Sequence, residues 1–136
     1  MPQPDELQIT EAQLIPGSPR DVWPLVTDPR HVKAWYAFGG AEIDLKPGGP
    51  MTLRWDEHGA FSAVVEQVTD EQLFSFRWGP APGPLVEITL EPDGNSTRVR
   101  VVETGRLEDA DQSALAWRNA LRLLRDLAER RAGGMR

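Results

Sequence analysis

The segment EDADQSALAWRNALRLLRDLAERR, Glu108 to Arg131, places Ala110, Ala114, Trp117, Leu121, Leu124 and Ala128 at alternating spacings of four and three. That spacing draws one continuous apolar stripe along an α-helix. Arg118, Arg122, Arg125 and Glu129 fall off the stripe. Glu108, Asp109 and Asp111 gather at the start and Arg130 and Arg131 at the end, as the helix macrodipole favours. Gly133-Gly134 is expected to let the chain fray beyond it. A helix with one apolar stripe needs a surface to cover, and the preceding residues supply a sheet.

Upstream, apolar and polar residues alternate in short runs separated by turn chemistry. Leu7 to Ile15 reads as a first strand. Ala41 to Lys46 is expected to be the next, closed by Pro47-Gly48-Gly49, where proline presets φ and glycine supplies φ > 0. Met51 to Trp55, Ala60 to Val68, Leu73 to Trp78, Val86 to Leu90 and Thr97 to Thr104 follow. Gly79-Pro80-Ala81-Pro82-Gly83-Pro84 cannot join a ladder and is expected to be a loop. Between the first two strands stand two short helices. Ser18-Pro19-Arg20-Asp21 opens one, with a capping hydroxyl, a proline at the first position and an acid at the positive end. Asp28-Pro29 opens the other, which is expected to run to about Trp35. The order predicts an α+β fold of about seven antiparallel strands, curved around the long C-terminal helix. Residues 1–136 read as one domain.

The bulk composition excludes several classes of function. Hydrophobic residues make up 40% and charged residues 26%, an ordinary globular balance. A formal net charge of -6 argues against gripping nucleic-acid phosphates. There is no cysteine, so disulfides, thiolate metal sites and a cysteine nucleophile are excluded together. Met1-Pro2-Gln3-Pro4-Asp5-Glu6 lacks the features of a secretory signal, and no apolar run approaches about 20 residues, so a cytoplasmic location without membrane insertion is expected.

Several motifs carry a resemblance to a known family. They are Ile15-Pro16-Gly17-Ser18-Pro19 with Val22-Trp23, Asp28-Pro29 with Trp35, and Asp44-Leu45-Lys46-Pro47-Gly48-Gly49. Gly59 followed by Val64 to Val68, Leu73 to Trp78, Val86 to Pro92, Thr97-Arg98-Val99 and the Trp117 helix with Leu121 and Leu124 continue the series. In order and spacing the chain resembles the START-related (SRPBCC, Bet v-like) helix-grip superfamily, and within it the branch of heat shock protein 90 ATPase-activator homologues. The resemblance implies the helix-grip fold. It also implies a choice of functions, because members of the superfamily bind lipids, hormones or polyketides and some are cyclases or dehydratases. Many members of the branch carry a histidine late in the last strand, where this chain has Glu103.

Six aromatic residues, Trp35, Trp55, Phe61, Phe76, Trp78 and Trp117, come from five different elements, and a sheet wrapped on a helix makes several of them converge. They read either as walls for a flat or apolar ligand or as plain core filling. Period two puts Glu103 on the inward face with Val99 and Val101. There it is a polar ligand contact and a weak candidate for a general base, or else a strand-end glutamate in solvent or paired with arginine. Arg54, Glu66 and Arg77 have outward parity and read as surface ion pairs, with the arginines becoming anion anchors only if register is reversed. His31 and His58 have no companion ligands in sequence, so no metal site and no cofactor are expected. No nucleophile elbow and no phosphate-cradling glycine loop is present.

The leading expectation is therefore a binder of a small hydrophobic or aromatic molecule, held in an internal cavity between sheet and helix and leaning away from enzymatic activity. Trp35, Trp55, Phe61, Phe76, Trp78, Glu103 and Trp117 form its site. The alternatives are a cyclase-, dehydratase- or hydrolase-like enzyme on a polyketide-like substrate, and a module that stimulates a chaperone ATPase. A homodimer is left open.

Overall fold

A computed structural model describes residues 7–79, 83–106 and 110–134. The chain runs β1 (Leu7–Pro16), α1 (Pro19–Thr27), α2 (Pro29–Trp35), β2 (Gly40–Ile43), β3 (Pro50–Trp55), β4 (Gly59–Thr69), β5 (Leu73–Trp78), β6 (Leu85–Asp93), β7 (Ser96–Gly105) and α3 (Ala110–Gly134). One antiparallel sheet has the order β1-β7-β6-β5-β4-β3-β2, so β2 to β7 form a meander and β1 closes against the last strand. The expected α+β helix-grip architecture is present, with the sheet open rather than closed into a barrel.

Local chemistry sets the element ends. The Ser18 hydroxyl accepts from the Asp21 amide at 3.3 Å, and Pro19 occupies the first turn of α1. Asp28 ends α1 by donating its backbone N–H to the Pro24 carbonyl, and its carboxylate caps α2, accepting from the Arg30 amide at 2.9 Å. Expected bounds differ from those observed at the end of β2 and at the end of α3. The strand read as Ala41 to Lys46 stops at Ile43, because the Lys46 amide turns back to the Asp44 carbonyl and the Gly49 amide to the Lys46 carbonyl. A Cβ at Gly49 would stand 2.0 Å from the Asp44 carbonyl oxygen, so the close approach admits glycine alone. Helix α3 continues through Gly134 instead of fraying at Gly133. Glu108 and Asp109, read as its first turn, and Pro80 to Pro82 of the proline-rich loop lie outside the described residues.

The strands alternate as their sequences require. Val86, Ile88 and Leu90 of β6 and Val99 and Val101 of β7 are buried, with Met51, Leu53, Ala63, Val65, Phe74 and Phe76 continuing the layer. Trp117, Leu121, Leu124 and Ala128 of α3 close over it, as the stripe predicts. A bulge between Val65 and Gln67 shifts the register of β4 against β5. The outward residues pair as read: Arg54 reaches Glu42 at 2.7 Å and Arg77 reaches Glu66 at 3.0 Å. No arginine of these strands enters the interior.

The interior itself is filled. The free space enclosed by Val26, Val32, Trp35, Met51, Leu53, Phe74, Phe76, Ile88 and Trp117 is about 10 Å³, no more than one water needs. Where the sequence placed a ligand cavity, rings and aliphatic side chains are packed against one another. The open space lies at the end of the sheet–helix layer.

Candidate functional site

Glu103 is the polar centre of the aromatic region. It lies on β7, is only 6% exposed, and accepts one indole N–H on each oxygen. Trp117 Nε1 donates to Oε1 at 3.0 Å and Trp78 Nε1 donates to Oε2 at 3.1 Å. One tryptophan comes from the helix and the other from the sheet, so the carboxylate ties the two layers together. Burial pushes the Glu103 carboxyl above its ordinary value of 4.5, and the two indole bonds pull against that rise. Glu103 is thus neither solvent-directed nor paired with arginine.

Around this carboxylate the rings form one continuous array. Tyr36, at the C-cap of α2, stacks on Trp117 with centroids 4.2 Å apart and planes 18° apart. The same tyrosine meets Trp55 edge-on at 5.0 Å and Trp35 at 5.8 Å. Trp55, Phe61 and Trp78 contact one another at 5.8, 6.3 and 6.4 Å, and Phe76 joins Trp78 at 5.3 Å. All six aromatic residues named from sequence therefore belong to one array. Their roles divide within it. Trp35, Phe76 and Trp117 are 1–2% exposed, and Trp35 Nε1 is spent on the Leu25 carbonyl at 2.8 Å. Trp55 and Trp78 are half-buried, and Phe61 is 44% exposed.

A cleft of about 630 Å³ opens beside the half-buried rings. One wall is aromatic: Trp35, Tyr36, Phe38, Trp55 and Phe61, with His58 on the same side. The facing wall is α3, where Ser113, Ala116 and Ala120 are small and Gln112, Asn119 and Leu123 flank them. The space exists because those side chains are short. Phe61 shares inward parity with Ala63 and Val65, yet it sits at the hairpin end of β4 and faces this cleft, not the packed layer. Asn119 Oδ1 accepts from Arg122 at 3.4 Å.

Sequence reasoning missed Tyr36, Phe38, His58 and the second face of α3. Tyr36 is the only tyrosine in the chain, and no periodicity marks it because it stands at an irregular helix end. The second face was visible in principle. Ser113, Ala116, Ala120 and Leu123 recur at three and four, parallel to the core stripe but smaller. Among the described residues, no group of three or more histidine or acidic side chains could hold a metal ion. Among the same residues, no helix is long and apolar enough to cross a membrane.

With this geometry established, comparison with known proteins places the chain. The model of the family described as "Activator of Hsp90 ATPase homolog 1-like protein" matches residues 16–129. Protein MLL2253 from Mesorhizobium loti superposes with a TM-score of 0.80 at 19% identity, covering 91% of this chain and 98% of that one. The AHSA1-like protein from Aeromonas hydrophila gives 0.79 at 20% identity and covers 96% of each chain. DynU16, described as a putative protein in the dynemicin biosynthetic locus, gives 0.77 at 22% identity, covering 93% of this chain and 48% of its own. At these identities the likeness establishes the fold. No curated protein gives a significant match to the chain.

Proposed function

The chain belongs to the activator of Hsp90 ATPase homolog 1-like family, and on that premise we propose that it binds a small, flat, largely apolar molecule in the cleft between the aromatic wall and α3. The ligand inserts beside Tyr36, Trp55 and Phe61 and lies against Ser113, Ala116 and Ala120. A volume of about 630 Å³ is within the usual range for small-molecule sites, and an aromatic wall opposite a wall of small side chains suits a planar ring system. Ser113 and Asn119 bring polar side chains to the α3 wall of the cleft. Phe76 and Trp117, packed out of reach, support the rings that line the cleft, and Glu103 holds Trp78 and Trp117 in place.

An enzymatic reading has less support. Both oxygens of the one buried carboxylate in this region are already engaged by indoles, and a general base needs to reach the proton it abstracts. Binding to a panel of neutral planar aromatics, followed by tryptophan fluorescence quenching, tests the proposal. Ala116 is exposed on α3 and lines the cleft, so Ala116→Trp fills the space at little cost to the core. Saturable quenching that drops at least tenfold in affinity in Ala116→Trp, with an unchanged unfolding midpoint, is expected. Absence of saturable binding across the panel, or affinity indifferent to Ala116→Trp, would refute it.

A further inference from the structure

Trp55, Phe61 and Trp78 line a second, wholly apolar hollow of about 250 Å³ that is open to solvent and adjoins the cleft through Trp55 and Phe61. Their centroids lie 5.8, 6.3 and 6.4 Å apart, close to an equilateral triangle, and their planes are tilted by 69°, 47° and 80°. Rings so tilted do not stack into a plug; they form a three-sided cup. A group seated roughly 3 Å above the plane of that triangle lies within about 6 Å of all three centroids, the range in which a cation is attracted to a ring face.

The chemistry behind the cup also points to a cation. The Trp78 N–H is bonded to the Glu103 carboxylate at 3.1 Å, which polarises the indole and adds electron density to its face. Glu103 receives neutral indole donors on both oxygens, so its charge is solvated by hydrogen bonds but not neutralised by them. The arginines on the neighbouring strands face the other side of the sheet, where Arg54 pairs with Glu42 and Arg77 with Glu66. A neutral apolar group gains from the rings alone, whereas a cation gains from the rings and the buried carboxylate together.

We propose that the Trp55–Phe61–Trp78 cup, backed by Glu103, binds a methylated ammonium group. This deepens the ligand-binding proposal and rests on it for the body of the ligand, whose charged end would occupy the cup while its apolar part lies in the cleft. Recognition needs no proton transfer and no metal. A compact, weakly hydrated cation such as a trimethylammonium matches an open apolar cup without hydrogen-bond acceptors, whereas a primary ammonium, strongly hydrated, gains less from approaching the rings.

Calorimetric titration with choline and with its uncharged carbon isostere, 3,3-dimethylbutan-1-ol, tests the proposal on the full chain. Both probes are small enough to fill the cup without entering the cleft. Choline is expected to bind at least about fivefold more tightly than the isostere. Phe61→Leu keeps apolar area at an exposed position but removes one ring face, and it should weaken choline at least about threefold while leaving the isostere nearly unchanged. Glu103→Gln should reduce the preference for choline. Equal affinity for the two probes, or choline binding indifferent to Phe61→Leu, overturns the cation site. Neutral planar aromatics can still bind the cleft in that event, so the two proposals fail separately.

Discussion

Replacing Glu103 and Trp117 singly and together measures whether the carboxylate ties the helix to the sheet. In Trp117→Phe the ring is largely kept but its N–H is lost, leaving Oε1 of a carboxylate that is only 6% exposed without its donor. In Glu103→Gln one oxygen is retained, but the amide nitrogen faces the other indole N–H, donor against donor. A hydrogen bond to a charged group is worth about 1.5–3 kcal/mol, so the double-mutant cycle should return a coupling energy in that range. For a chain of this size each kcal/mol shifts the unfolding midpoint by about 4 °C, and the coupling is readily resolved by urea or thermal unfolding. Far-ultraviolet circular dichroism is the better probe, since tryptophan emission changes with the mutations themselves. A coupling below about 0.5 kcal/mol would mean the two residues act independently, and the clamp would be refuted.

The pH dependence of the same cycle has a definite sign. Burial holds the folded carboxyl above its ordinary value of 4.5, so the native state binds the proton before the unfolded chain does. The contribution of this group to stability therefore rises as pH falls through the folded pKa and is complete below the unfolded one. Glu103→Gln abolishes that contribution. The difference in unfolding free energy between wild type and variant should accordingly move in favour of the wild type on acidification. A difference independent of pH would contradict the burial of Glu103.

Other outcomes follow from single contacts. Asp28→Ala removes the cap of α2 and should cost about 1 kcal/mol at neutral pH. The hydrogen bonds from Arg30 lower the Asp28 pKa from 3.8 to about 2, so the cost should vanish as acid titrates the wild type through that interval. Its measurement is the unfolding midpoint at pH 7 against that near pH 2. Trp35→Phe deletes the N–H that reaches the Leu25 carbonyl at 2.8 Å and leaves a small void, and a loss of about 2–3 kcal/mol is expected in chemical denaturation. Gly49→Ala places a methyl against the Asp44 carbonyl and should destabilise the chain more than Gly48→Ala, whose added Cβ meets nothing within 4 Å although its φ of +82° strains any side chain. Equal midpoints for the two glycine variants would contradict the packed turn.

How far the fold and site were legible depends on whether neighbouring residues in sequence decide them. The core stripe of α3, the capping residues Ser18 and Asp28, and the parity of Val86, Ile88, Val99 and Val101 are local patterns, because helix and strand periods put those side chains on one face whatever lies opposite. The sequence alone therefore determined the order of elements, the inward aim of Glu103 and the outward aim of Arg54 and Arg77. It also named six rings that prove to be in contact. It did not determine which of them are packed away and which face open space. That is decided where α2, the β3–β4 hairpin and α3 meet, through residues as far apart in the chain as Tyr36 and Trp117 or Phe61 and Trp78. Only there does it emerge that the interior is closed and that Ser113, Ala116 and Ala120 leave a cleft beside Tyr36. Only there does Glu103 meet an indole on each oxygen. Periodicity aims a side chain toward a layer, but the volume left in that layer depends on the summed size and seating of all its neighbours, and that is a property of the assembled packing.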